Sequence, residues 1–179
     1  MMTSNEKILG NERRDLLVKL LMDASQPIPG RELGEITKVS RQVISGDITL
    51  LKAKGEPIIA TSRGYVYMRP ATEQNKIEKI IACNHSAMQT EEELNILVDH
   101  GITVKDVKVE HPLYGDLTAS IMVSNRNEVK RFVENIKQTN ASLLLELTDG
   151  IHLHTIIASN KDEIQHAEEA LKKAGILVD

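Results

Sequence analysis

Between residues 11 and 68 the apolar residues keep a helical spacing through three short runs, then switch to the alternation of paired strands. "NERRDLLVKLLMDAS" (11–25) sets Leu16, Leu17, Leu20 and Leu21 on one helical stripe, with acids early and a polar stop. "QPIPG" breaks that run, and "RELGEITKVS" reads as a second helix with Leu33 and Ile36 inward. "SRQVISGDITLLKAKG" (40–55) reads as a third helix, with Ser40 as N-cap and Gly55 past its end. "PIIATSRGYVYM" (57–68) is two strand-like runs joined at "TSRG", a hairpin signal. A helix-turn-helix followed by a hairpin is the winged-helix order.

Wound at 100° per residue, the third helix separates into two arcs. Val43, Ile44, Ile48, Leu50 and Leu51 share the apolar side, and Arg41, Gln42, Ser45, Gly46, Thr49 and Lys52 share the other. Arg and Gln reach guanine and adenine edges in a major groove, Lys suits phosphate, and small Ser45 and Gly46 allow close approach. Arg63, at the hairpin tip, is placed for a phosphate or the minor groove. Any surface helix has a polar face, so it is the ordered set of three helices and a basic-tipped hairpin that points to DNA. Asp47 falls inside the apolar arc and reads as a structural partner of Arg13 or Arg14.

Charge divides the chain in two. Residues 1–70 carry 11 Lys/Arg against 8 Asp/Glu, and residues 71–179 carry 11 against 18. A basic front module (1–70) and an acidic back module (71–179) suggest different partners, with "RPATEQNK" (69–76) as linker. With only Tyr65, Tyr67, Tyr114 and Phe132 as aromatics and no Trp, both cores must be aliphatic. A single cysteine, Cys83, excludes an intrachain disulfide and fits a reducing cytoplasm. No apolar run approaches a membrane span, and the N-terminus has no signal-peptide h-region, so a cytoplasmic protein without a membrane partner is expected.

From residue 77 strand-like and helix-like runs alternate. "KIEKIIACNHS" reads as a strand, and "TEEELNILVDHG" as a helix with Thr90 and Glu93 at capping-box spacing and Gly101 past its end. "TVKDVKVEHPLYGDLTASIMVS" reads as two strands joined at "HPLYG", and "RNEVKRFVENIKQTN" as a helix with Val129, Phe132, Val133 and Ile136 on one stripe. "SLLLELTDGIHLHTIIAS" reads as two more strands turning at Asp149-Gly150, and "KDEIQHAEEALKKAG" closes the chain with Ile164, Ala167 and Leu171 inward. The order β-α-β-β-α-β-β-α implies an open sheet covered by helices, an α+β domain.

Two of six histidines, His152 and His154, stand at i and i+2 on the last strand and so share a face. With His85 at the end of the first strand and Glu93 in the following helix, they form a donor set suited to Zn²⁺ or Ni²⁺. H-x-H arises by chance wherever a strand alternates, but apolar Ile151, Leu153, Ile156 and Ile157 around it indicate a buried strand, where unpartnered imidazoles are costly. The bland readings stay open: Glu93 as a capping-box acid, His85 as a strand-end hydrogen-bonder, Cys83 as a small core residue, His100 and His166 as helix-surface residues.

"SRQVISGDITLLKAKG", "IIATSRGYVY", "HPLYGD" and "GIHLHTI" together resemble the niacin-responsive transcriptional repressors of NAD biosynthesis, over nearly the whole chain. Those join an N-terminal winged helix to a C-terminal three-histidine (3H) domain whose fold is similar to that of histidine phosphocarrier proteins. The resemblance implies a divalent metal, nickel or zinc, on His85, Glu93, His152 and His154, and the eight-residue spacing from His85 to Glu93 matches. It implies nicotinic acid as co-repressor, a homodimer, and a double-stranded DNA operator. "HPLYG" is a hallmark of the family, which sets His111 and Tyr114 near the ligand or the metal. Rival readings are a metal-responsive regulator, a winged helix fused to a metal-dependent enzyme, and a protein-binding adaptor. The absence of a phosphate loop, of a nucleophile–base pair and of a second acid near the histidines argues against the enzyme.

Overall fold

The structure is a computed structural model that describes residues 9–68 and 76–178. The chain divides into two compact units between residues 71 and 72. The expected linker, 69–76, lies outside the described residues except for Lys76.

The first unit contains α1 (Gly10–Asp23), α2 (Gly30–Thr37) and α3 (Arg41–Ala53), then β1 (Ile58–Thr61) and β2 (Gly64–Tyr67). Leu17, Leu21, Leu33, Ile44, Ile48, Leu51 and Ile58 form its core, an all-aliphatic centre flanked by half-buried Tyr65 and Tyr67. The Ser40 side chain accepts the Val43 N–H and caps α3. Between α2 and α3 the chain turns on Lys38, held at φ 56°. Gly34 permits that turn, since a Cβ there would lie 2.7 Å from the Val39 carbonyl oxygen. Asp47 is buried and takes Arg13 Nε at 2.6 Å and Arg14 Nη1 at 3.0 Å, so both arginines of α1 lock α3 in place. Removing one partner of such a buried pair costs about 3–5 kcal/mol.

Two residues expected inward in this unit are not. Ile36 and Leu50 are 45 % and 51 % exposed. Both sit at the margin of their apolar arcs, and the small three-helix core closes on Leu33 and Leu51 instead.

The second unit runs β3 (Ile77–Asn84), α4 (Thr90–Asp99), β4 (Thr103–His111), β5 (Gly115–Val123), α5 (Arg126–Thr139), β6 (Ile151–Ala158) and α6 (Lys161–Lys173). The sheet order is β3-β6-β4-β5, all antiparallel. Its core comprises Ile81, Cys83, Leu94, Leu97, Ile102, Val104, Val123, Val129, Ile156, Ile164, Ala167, Leu171 and others; α6 contributes its expected stripe, whereas α5 buries only Val129, with Phe132 and Val133 packed against the core and Ile136 outside it. The outer edge of β3 is partly paired by the C-terminal residues: Asn84 N–H donates to the Ile176 carbonyl and Val178 N–H to that of Ala82.

The run before Asp149 is not the strand its composition suggested. Leu144–Thr148 is a 3-10 helix. β6 already has β3 on one side and β4 on the other, so no slot remains beside it for a hairpin partner. Local bonds replace the ladder: Glu146 Oε2 accepts the Leu143 N–H at 2.7 Å, and the Thr148 hydroxyl donates to the carbonyls of Leu145 and Ile151. The order is therefore β-α-β-β-α-β-α, an open sheet still covered by helices.

Candidate functional site

His152 and His154 point into the covered side of the sheet. Both are 2 % exposed, whereas their apolar neighbours Ile151 and Leu153 face outward at 56 % and 38 %. The expectation of a buried strand thus holds for the histidine face, with the apolar neighbours of that stretch turned the other way. Ring centroids of His85 and His152 stand 4.9 Å apart and those of His152 and His154 4.8 Å apart, each pair nearly perpendicular.

Every one of the three imidazoles is pinned at Nδ1 by a backbone carbonyl. His85 Nδ1–H donates to Ser86 O at 2.8 Å, His152 Nδ1–H to Gly150 O at 2.8 Å, and His154 Nδ1–H to Asp106 O at 2.7 Å. This leaves all three Nε2 atoms aimed at one carboxylate: Glu93 Oε2 lies 2.7 Å from His85 and 3.3 Å from His154, and Oε1 lies 3.2 Å from His152. A carbonyl bond that fixes tautomer and ring orientation is the arrangement found behind metal-ligating histidines. Each Nε2 can meet the carboxylate as a proton donor, as at His85 and His152, or, once deprotonated, with a cation between the two.

In the chain's own protons the conflict is visible. Burial pushes the His85 and His154 imidazolium ions down, but the hydrogen bonds and charge of Glu93 outweigh it and raise both above their ordinary value. Burial would lift Glu93, yet the imidazoles of His154, His152 and His85 hold it well below the usual carboxylate range. His154 Nε2 remains a buried atom without a hydrogen-bond partner.

Local structure explains why Glu93 is available. The capping box at this helix entry is made about one turn earlier, by Ser86 and Gln89 in a 3-10 turn over Ala87–Gln89. Neither Thr90 nor Glu93 caps the helix: the Thr90 hydroxyl is buried without a partner, and Glu93 is 1 % exposed. Gly150 brings the His85 end of β3 against β6. It has φ 102°, and a Cβ there would lie 2.6 Å from the His85 carbonyl oxygen. A cavity of about 30 Å³ adjoins the cluster, lined by Thr90, Glu93, His152 and His154 on its polar side and by leucines 143–145 and Phe132 among its apolar walls. Cys83 Sγ also lies close by, in a triad with Glu93 and His152. Burial first, then the Glu93 charge, pushes its thiol up, so without a cation it stays protonated.

In the first unit Arg41, Gln42, Ser45, Gly46, Thr49 and Lys52 are all exposed on one side of α3. Thr49 spends its hydroxyl proton on the Ser45 carbonyl at 2.9 Å. Nothing lies within 4 Å of where a Gly46 Cβ would be, so that surface is open among the described residues. Arg63 occupies the β1–β2 turn.

Residues 78–179 match the family model of the 3H domain, and residues 13–66 match that of the HTH domain. The chain is 54 % identical over 178 residues, 99 % of both chains, to "Transcription repressor NadR" of Bacillus subtilis. It is 37 % identical over 173 residues, 97 % of both, to "Probable transcription repressor NiaR" of Thermotoga maritima. The chain belongs to this family of 3H-domain transcription repressors.

As a 3H-domain repressor it is a DNA-binding regulator and not an enzyme. No helix among the described residues is long and apolar enough to cross a membrane. The structure brings His85, Glu93, His152 and His154 together but not His111 and Tyr114. His111 Nδ1 accepts the N–H groups of Leu113 at 3.1 Å and Tyr114 at 3.3 Å, and its ring packs beside Tyr114. That holds the turn, and neither residue lines the cavity beside the cluster. Sequence reasoning missed Asp106, Thr90 and Gly150. Asp106 escaped because its role is played by a backbone carbonyl at a register shift between Val104 and Asp106, which no side-chain pattern encodes. Gly150 carried a signal, the Asp-Gly pair, that was read as a hairpin turn.

Proposed function

We propose that this repressor controls genes of NAD biosynthesis or niacin salvage, with nicotinic acid as co-repressor and a divalent transition metal, nickel or zinc, in the 3H domain. His85, Glu93, His152 and His154 would hold the metal, and the ion would supply a Lewis-acidic centre for a carboxylate or pyridine nitrogen. The observation that carries this reading is the convergence of three Nδ1-pinned imidazoles on one buried carboxylate. Arg41, Gln42, Ser45, Thr49 and Lys52 face the major groove of an operator in this reading, with Arg63 on the backbone or minor groove. A cytoplasmic homodimer would set two such helices on half-sites about 34 Å apart or a multiple of it.

Size bears on the ligand. A six-membered aromatic ring needs on the order of 150 Å³, and the cavity beside the cluster offers about 30 Å³. A neighbouring groove of about 410 Å³ shares Thr90 and Leu143 with that cavity. Nicotinic acid beside the cluster would need Thr90 and Leu143, the walls common to groove and cavity, to give way.

The test is anisotropy of a labelled promoter duplex from a niacin-salvage or NAD-synthesis operon, titrated at fixed salt with and without nicotinic acid. Tighter binding with the acid is expected. Specific binding indifferent to it would overturn niacin sensing. The tightness of the cavity favours one second reading, in which the metal alone is the signal. Binding that a chelator abolishes without nicotinic acid present would establish that reading.

A further inference from the structure

A buried divalent ion needs negative charge close at hand, and Glu93 supplies only one unit. Asp106 is buried nearby, but its carboxylate is engaged elsewhere, accepting the Thr155 N–H at 3.1 Å and lying 3.8 Å from Lys108 Nζ. The second source of charge within reach is sulfur. Cys83 pairs with His152 in register on adjacent strands, so the two side chains leave the same face of the sheet. Its Sγ, a Glu93 oxygen and a His152 nitrogen lie within 4.8 Å of one another, and the residue is fully buried. Independently, His154 Nε2 is buried, makes no hydrogen bond, and lies 3.3 Å from the same carboxylate.

We propose that Cys83 is a fifth ligand of the metal, bound as a thiolate; this rests on the metal reading above. The S–H bond is replaced by an S–metal bond and the proton is released to solvent, with no change of oxidation state. Thiolate and carboxylate together cancel the dication's charge. A sulfur donor beside three imidazoles selects zinc, cobalt or nickel over magnesium, calcium or manganese.

The full-length protein loaded with Co²⁺ separates this inference from the reading beneath it. Visible d–d absorption that survives desalting reports cobalt binding, and a near-ultraviolet sulfur-to-cobalt charge-transfer band reports the thiolate. We expect both in the wild type, and loss of the near-ultraviolet band alone in Cys83→Ser. Retained cobalt without that band would overturn the cysteine ligand and leave the metal centre standing. No retained cobalt would overturn both. Should Cys83→Ser fail to fold, X-ray absorption of the zinc-loaded wild type decides: a sulfur scatterer at about 2.3 Å is expected, and a shell of only nitrogen and oxygen at about 2.0–2.1 Å refutes it.

Discussion

Glu93 is the residue on which the cluster turns, because it meets three imidazoles whose tautomers the main chain has already set. In the metal-free chain His85 and His154 have raised pKa values, so their contribution to stability is present below the unfolded value of about 6.5 and is lost as pH rises through the folded values. Glu93 has a lowered pKa, so its contribution is present above its unfolded value of about 4.3 and is lost as pH falls through the folded one. As pH rises through the folded values His85 and His154 lose those protons, and it is then that a cation helps most. The increase in Tm produced by Zn²⁺ should grow from about pH 6 to about pH 8; a shift that stays flat would mean that protons and metal do not compete. Glu93→Gln keeps the volume and removes the charge. It should weaken zinc binding, measured against a chelating dye, by more than the roughly 10–100-fold that outer-shell partners command.

Among the elements, β6 does most to assemble the site, since it lies between β3 and β4 and carries two of the proposed ligands. Gly150→Ala should destabilise the second unit by on the order of 1–3 kcal/mol, from positive φ alone, and more through the clash with the His85 carbonyl. Denaturant melts of the metal-free protein would show it. Thr90→Val tests the cavity wall. Replacing a buried, unpartnered hydroxyl with an isosteric methyl should leave stability unchanged or raise it by about 1 kcal/mol, while blunting the response to nicotinic acid in the operator assay; an intact response would remove Thr90 from the ligand's surroundings. The legible parts of the site were those written in side-chain types at fixed spacing: His85 with Glu93, and the H-x-H pair. The helices and hairpins were legible too, as period and punctuation. Leu144–Thr148 was not, because three successive leucines carry no period, and what excludes a strand there is the strand order of the sheet. Thr90 and Glu93 misled for a related reason, since Ser86 and Gln89 offer a second capping-box spacing just upstream.

At the scale of the whole molecule, a chain of net charge −4 is asked to bind a polyanion. It does so because the charge is segregated: the first 70 residues hold a surplus of three positive charges and the remainder a surplus of seven negative ones. In the proposed reading the cations that meet the operator are chiefly Arg41, Lys52 and Arg63. Counterion release then sets a shallow salt slope, about −0.9 per phosphate neutralised. The cations should also separate by role. Arg63→Ala should weaken binding to operator and unrelated duplex alike and flatten the slope by about one unit per protomer, as loss of a phosphate contact does. Arg41→Ala should cost about 1–3 kcal/mol on the operator and relax preference at one base-pair position, as loss of a base contact does. Titrations of both variants on operator and scrambled duplex, over a salt series, measure the two effects together. If Arg41→Ala lowers both duplexes equally, it contacts backbone, and sequence reading passes to Gln42, Ser45 and Thr49 on the same exposed side of α3.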